Sequence, residues 1–444
     1  MRLLLYSWKA NNEQILADNL IKCGFEVRWF GKECKHFTRD MELAAEMIPY
    51  INQQSIEAVL SFNYFPMLSM ICNTCQIPYF SWVYDCPHFT LYAKQIMLPC
   101  NHIGIFDKEM VKHLQETYQV PTVFHAPLAV DTEYFDKMLR EVWGSSAVDS
   151  GNDWYESMPA KYQCDVSFVG SLYTDEHNYY DMLNVAEGGS KAAEDSVAES
   201  SNAALTSLNQ VITRQCFDYK QDYLRPALAS GEIDARVIND KMKEQGLMLG
   251  EDYFANPEDI LLAAVPEKKV TVEERRILLT QIAEGNFANL AQGDFSDKQR
   301  GNSDKQGEFS FKLYTGSDTR KFPVLDACNQ GTVDYHTQMP LVFAASRINL
   351  NISLRSIHSG IPLRVLDIMA CGGFVLSNWQ PELAEYFTAG EELALFESKE
   401  ECMEKIAYYL THEEERKKIA AAGKRKVQEL FSYEKGLERL FGVS

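Results

Sequence analysis

Short runs rich in β-branched and aromatic residues alternate with helical runs throughout the first 130 residues, and this alternation limits the possible folds more than any other feature. "RLLLYSW", "FEVRWF", "EAVLSFN", "PYFSWVYD", "HIGIFD" and "TVFHAP" read as strands. Between them, "NEQILADNLIKC", "DMELAAEMIPYINQ", "MLSMICNTC" and "KEMVKHLQETY" read as helices. Parallel strands need long crossovers and helices supply them, so the order predicts a parallel sheet covered on both faces. The first strand-to-helix turn, "SWKANNEQ", lacks G-x-G-x-x-G, and no G-x-x-x-x-G-K-[ST] occurs anywhere. Both absences argue against a dinucleotide dehydrogenase and a P-loop enzyme.

The rhythm restarts at "DVSFVGSLY", Asp165 to Tyr173, where a buried strand runs into a glycine, and then stops. It resumes with strand "FKLYTG", helix "MPLVFAAS", strand "INLNISL", a loop and helix, and strand "FVLSN"; two amphipathic helices follow, "KEECMEKIAYYLTH" and "EEERKKIAAAGKRKVQELF". The intervening stretch holds helical runs such as "QVITRQCFDYKQDYLRPALA" and "VEERRILLTQIAEG". Its polar segments "AEGGSKAAEDSVAESSN" and "AQGDFSDKQRGNSDKQGEF" read as mobile loops. The prediction is an α/β chain of two doubly wound domains, 1–130 and 131–435, with a largely helical insertion at about 177–310 and a tail at 436–444.

The net charge of −20 is concentrated in the middle, where residues 131–310 carry 17 basic and 33 acidic side chains. This balance excludes an extended nucleic-acid surface, which would need a basic stripe to replace counterions. It allows a local basic pocket, for which Lys312, Arg320, Lys321, Arg347, Arg355 and Arg364 are candidates. No apolar run approaches the roughly 18 residues of a membrane span. The start, "MRLLLYSWKANNEQ", lacks the parts of a signal peptide, and the eleven cysteines form no regular framework. A reducing, cytoplasmic location is expected. Cys72 and Cys75 form a C-x-x-C without a second pair, and no metal is expected there.

The most informative stretch is Arg355 to Gly373, "RSIHSGIPLRVLDIMACGG". Leu363, Val365, Leu366, Ile368, Met369 and Ala370 wrap most of a helical cylinder, as on a buried helix. Arg364 and Asp367, three apart, leave from one face, so that face must meet something polar. The loop "RSIHSG" follows a strand, where ligands bind in open α/β sheets. Gly360 permits close backbone approach, Pro362 suits a first helical turn, and the helix start presents free N–H groups, which together describe an anion site. Arg355 and Arg364 can add fork-shaped donors to a phosphate. Asp367, which can only accept, suits sugar hydroxyls, and Gly372 should end the helix in a left-handed cap. The pattern fits a nucleotide diphosphate; the competing reading is an internal Arg364–Asp367 ion pair.

"INLNISLRSIHSGIPLRVLDIMACGGFVLSNWQPELAEYF" resembles the nucleotide-binding core of GT-B glycosyltransferases, and more closely the CgeB-like, spore-maturation branch. "DVSFVGSLY", "HAPLAVDTEYF" and "THEEERKKIAAAGKRKV" are similar to the same branch in the same order. The resemblance implies two Rossmann-like domains facing a cleft, with the donor on the second and the acceptor on the first, usually without a metal. Many retaining members of the wider fold place two glutamates eight positions apart around this helix. Here those positions hold Ser359 and Asp367, so the retaining mechanism does not carry over.

Glycosyl transfer needs a stabilised leaving diphosphate and an activated acceptor hydroxyl. For an inverting reaction the best candidates for the general base lie in "SWVYDCPHF", namely Asp85 and His88. Asn63, after "EAVLSF", could orient an acceptor. On the donor side, Gly170 and Ser171 should face the diphosphate, Tyr314 and Thr315 could meet the base, and Gln380 or Glu382 of "SNWQPEL" could reach the sugar. His336 and His358 form no metal site with spaced carboxylates, and no metal or cofactor is expected besides the nucleotide-sugar donor. The acceptor would be a glycan, a protein or a small molecule. The competing classes are a non-catalytic sugar-nucleotide or glycan-binding module and an epimerase or phosphorylase using the same cleft.

Overall fold

The structure, a computed structural model, describes residues 1–143, 159–173, 196–244, 250–254, 258–285 and 309–442. Of the two segments expected to be mobile loops, 291–309 lies outside them except for Phe309, and 186–195 lies outside them as well, but 196–202 belong to helix Ser196–Gln215, contrary to the expectation. Six strands form the first sheet: β1 (Arg2–Tyr6), β2 (Glu26–Phe30), β3 (Ala58–Phe62), β4 (Tyr79–Val83), β5 (Asn101–Ile105) and β6 (Val123–His125). Their order is β2-β1-β3-β4-β5-β6, and every pairing is parallel. The second sheet contains β7 (Cys164–Val169), β8 (Phe311–Tyr314), β9 (Ser346–Asn351), β10 (Val375–Asn378) and β11 (Ala394–Phe396). It is also all-parallel, in the order β11-β10-β9-β7-β8.

Two helices of the first domain start where an aspartate supplies an oxygen acceptor for their unpaired N–H groups. Asp40 accepts from Leu43 N at 2.9 Å to open Met41–Gln53, and Asp107 accepts from Met110 N at 2.9 Å to open Lys108–Tyr118. Helix Leu363–Ala370 follows Pro362 and buries Val365, Leu366, Ile368, Met369 and Ala370. Each large apolar side chain in such a position stabilises the fold by about 1.5–3 kcal/mol. Gly372 follows with φ of +75° and donates to Met369 O at 2.9 Å, the left-handed ending expected from its position.

Two connections join the domains more closely than the sequence suggested. The chain end expected as a tail from 436 belongs to helix Tyr433–Phe441, which lies on the first domain, where a Cβ on Gly436 would meet the Trp82 ring at 2.3 Å. The insertion also reaches back to the first domain. Leu208, Val211, Ile212, Leu262 and Val265 share one apolar core with Leu43, Met47, Leu68 and Ile71. Lys94 N donates to Asp252 O at 2.8 Å, Phe254 N to Tyr92 O at 2.9 Å, and Arg39 Nε meets Asp252 at 2.9 Å.

Candidate functional site

The loop after β9 turns three backbone N–H groups, ahead of the helix start that the sequence marked as an anion site, toward a carboxylate of the protein itself. The backbone nitrogens of His358, Ser359 and Gly360 lie 2.7, 3.0 and 3.3 Å from Asp107 Oδ2, at the end of β5 in the first domain. Gly360 is required there, because a Cβ would stand 2.7 Å from the Phe106 ring and 2.9 Å from Phe106 O. The Ser359 hydroxyl is 2.9 Å from Asp107 Oδ1 and 2.8 Å from Glu382 Oε1, and it accepts from Glu109 N at 3.1 Å. Glu382, buried like Ser359, also accepts from Lys108 N at 2.9 Å and lies 2.9 Å from His125 Nε2. These contacts close the two domains onto each other.

Beside this seam, the His358 imidazole bonds Glu267 of the insertion at 2.8 Å. Burial pulls its pKa down, but Glu267, with a smaller contribution from Asp107, overcomes this and raises it to about 9. A depression of about 200 Å³ opens nearby, between Glu109, Lys112, His113, Arg225 and His358. It is below the size of pockets that enclose drug-sized ligands.

Several expected donor residues have other partners in this closed state. Arg355 is paired within the protein: Nε lies 3.1 and 3.0 Å from the two oxygens of Glu274, Nη2 also pairs with Glu274, and Nη1 donates to Asp218 O at 2.9 Å. The reason is the inserted helix Pro266–Ala283, whose Glu274 is completely buried and needs a cation. Asp367 is 1% exposed and accepts from the Tyr335 hydroxyl at 2.9 Å, which in turn accepts from Asn12 Nδ2 at 3.0 Å. Burial raises the Asp367 pKa to about 6 against the opposing effects of Arg364 and Tyr335. Gln380 is buried and donates to Ile357 O at 3.3 Å. Of the other basic candidates, Arg320 pairs with Asp318 at 2.7 Å, Arg347 with Asp165 at 3.2 Å, and Lys312 donates to Lys161 O at 2.6 Å.

Lys321 is exposed, and Arg364 is only loosely held. Its side chain is 30% exposed, it reaches Asp367 only at 3.7 Å, and its other contacts are the Met339 sulfur and the Phe343 ring face. Gly170 and Ser171 lie at the end of β7, with Gly170 N donating to Tyr314 O at 3.0 Å and Ser171 Oγ 3.1 Å from Ser317 Oγ. The Tyr314 hydroxyl is buried and finds no partner among the described residues. Arg275 and Lys268, from the insertion, also reach this corner, though the sequence reading singled out neither: Arg275 Nη1 donates to Ser171 O, and Lys268 lies over the Tyr173 ring.

In the first domain, Asn63 adopts φ of +61° and holds the chain after β4, where Tyr84 N and Asp85 N lie 2.9 and 3.1 Å from its Oδ1. Its Nδ2 donates to Asp85 Oδ2 at 2.7 Å. Asp85 is exposed, which leaves its carboxylate accessible. His88 is occupied differently: Nε2 accepts from Tyr64 N at 3.0 Å and lies 2.7 Å from the Thr90 hydroxyl, and burial lowers its pKa. Among the described residues no group of three His, Cys, Asp or Glu could hold a metal ion, and no helix is long and apolar enough to cross a membrane.

Residues 304–442 match the protein family described as glycosyl transferase-like. No curated protein matches the chain. Among solved structures, sucrose-phosphate synthase from Thermosynechococcus elongatus is similar over 100% of both chains, with 10% identity and a TM-score of 0.51. HepE from Anabaena, in complex with UDP-glucose, is similar over 100% of this chain and 98% of its own, with 8% identity and a TM-score of 0.50. The chain has the GT-B fold of two Rossmann-like domains facing each other, with its glycosyl transferase-like match in the second.

Proposed function

We propose that this protein transfers a sugar from a nucleotide-diphosphate sugar to a hydroxyl of a glycan, a protein or a small molecule, in the cleft between its domains. The observation that carries this reading is the convergence of three consecutive backbone N–H groups at the end of the second sheet, from His358 to Gly360, on one oxygen of Asp107. Such a cradle is built for an anionic or strongly accepting group, and it lies where this fold class binds ligands. The family match over 304–442 and the structure of HepE, solved with UDP-glucose, support it.

In this scheme the acceptor oxygen bonds to the anomeric carbon as the bond from that carbon to the diphosphate oxygen breaks. Arg364 and the loop N–H groups take up charge on the leaving diphosphate. Asp85, held by Asn63 and exposed, takes the acceptor proton. His88, with Nε2 engaged by Tyr64 and Thr90, is a positioning residue for this loop. Positive charge comes from the chain itself, without a metal.

A thermal-shift screen of UDP-, GDP-, ADP-, CDP- and TDP-sugars, followed by mass spectrometry of the reaction mixtures, tests the proposal. The expected result is stabilisation by one donor class, with release of the matching nucleoside diphosphate. Stabilisation by none of them and no turnover would overturn it.

A further inference from the structure

A cationic cluster lies at the carboxyl ends of β7 and β9, and two of its three members come from the insertion. Arg275 is 8% exposed; Nη1 donates to Ser171 O and Nη2 to Ile352 O, both at 2.6 Å, and its side chain also hydrogen-bonds Tyr173. Its Nε is buried without a partner. Lys268 lies with Nζ 3.4 Å from the centroid of the Tyr173 ring, and the Arg275 guanidinium lies 5.4 Å from the same ring. Among the described residues, no carboxylate forms an ion pair with either cation. Glu274, beside Arg275 in sequence, is taken by Arg355.

The charged forms show the cost of this arrangement. Lys268 is pulled down by burial and further by Arg275, and Arg275 by burial and further by Arg364, while Tyr173 opposes both shifts. Buried charges are ordinarily paired, because an unpaired one loses hydration without compensation. Among the described residues, these three neighbouring cations share a single carboxylate contact, Asp367 at 3.7 Å from Arg364. A diphosphate brings several oxygen acceptors and matches both the planar fork of an arginine and the point charge of a lysine.

We infer that Arg275 and Lys268 of the insertion, together with Arg364, bind the diphosphate of the donor, so that the insertion is part of the active site. This rests on the glycosyl-transfer reading for the identity of the donor, but not for the presence of the anion site. Tyr173, whose ring faces both insertion cations, would keep them in place while the cleft is empty.

Isothermal titration calorimetry on the full chain, with inorganic pyrophosphate and with UDP, GDP, ADP, CDP and TDP, decides the matter. Lys268→Met should weaken pyrophosphate and the preferred nucleoside diphosphate by a similar factor, about tenfold, as loss of one charge-assisted contact implies. Arg275→Lys should weaken both as well; if that variant fails to fold, Lys268→Met alone decides. Unchanged affinities in folded Lys268→Met would overturn the inference while leaving the transferase reading intact. Pyrophosphate binding that depends on Lys268, with no nucleoside diphosphate bound, would keep the anion site and remove the transferase reading. No binding of any probe by the unaltered protein would overturn both.

Discussion

Asp107 Oδ2 lies 2.7 Å from the backbone nitrogen of His358, so a carboxylate of the first domain fills the anion loop of the second. Replacing it tests whether this contact holds the domains closed. Asp107→Asn retains an acceptor for Met110 N at the start of helix Lys108–Tyr118 but loses the charge in the loop. Hydrogen bonds to charged groups contribute about 1.5–3 kcal/mol, and a loss of that order is expected in urea denaturation. X-ray scattering should show a larger radius of gyration. An unchanged radius with unchanged stability would mean that the seam is held elsewhere.

Arg355 and Arg364, nine positions apart, should behave in opposite ways. Arg355→Ala leaves Glu274 buried and unpaired, so a loss of about 3–5 kcal/mol is expected. Arg364→Ala removes a side chain 30% exposed whose ion pair is 3.7 Å long, so stability should change by less than about 1 kcal/mol. Its affinity for the preferred nucleoside diphosphate should fall at least about tenfold. Easy unfolding of Arg364→Ala with full affinity would support the internal ion-pair reading instead.

His358 predicts a pH dependence with a definite sign. Its folded pKa, about 9, lies above the value of about 6.5 expected in the unfolded chain, so folding favours the imidazolium. The resulting stabilisation is fully present below pH 6.5 and is lost as pH rises through about 9, with an upper bound of about 3 kcal/mol. His358→Gln should flatten the stability profile across that window. An equally steep decline in the variant would assign the effect to other groups.

Asp367 acts in a lower and separate window. With its folded pKa at about 6 and about 3.9 unfolded, the native state keeps a proton that the unfolded chain has released. Stability therefore falls as pH rises from about 4 to about 6, and the ionised, buried carboxylate remains costly above that. Asp367→Asn can still accept from Tyr335. It should match the unaltered protein near pH 4 and exceed its stability at pH 8 by up to about 3 kcal/mol. A variant less stable at pH 8 would show that the charge pairs more strongly than its 3.7 Å approach to Arg364 suggests.

Catalysis should proceed without a divalent cation, because loop N–H groups and arginines supply the positive charge. Turnover of the donor identified by thermal shift, measured with saturating chelator, should equal turnover with added magnesium or manganese. Loss with the chelator and rescue by one metal would overturn this assignment.

The six strands of the first sheet, four of the five in the second and the glycine ending at Gly372 were set by local sequence, while the short β11 was not among the expected strands. Period, strand-end position and the left-handed tolerance of glycine act over a few neighbours, so a linear reading recovers them. The partners of the charges were decided by tertiary structure. Glu274 lies 81 positions from Arg355, and Asp107 lies 251 from His358. Nothing in "PEKKVTVEERRILL" distinguishes a solvated helix from one whose Glu274 and Arg275 are buried. A charge acquires its role from the burial and partners that folding imposes, and both arise only when distant segments, here the insertion and the two domains, pack together.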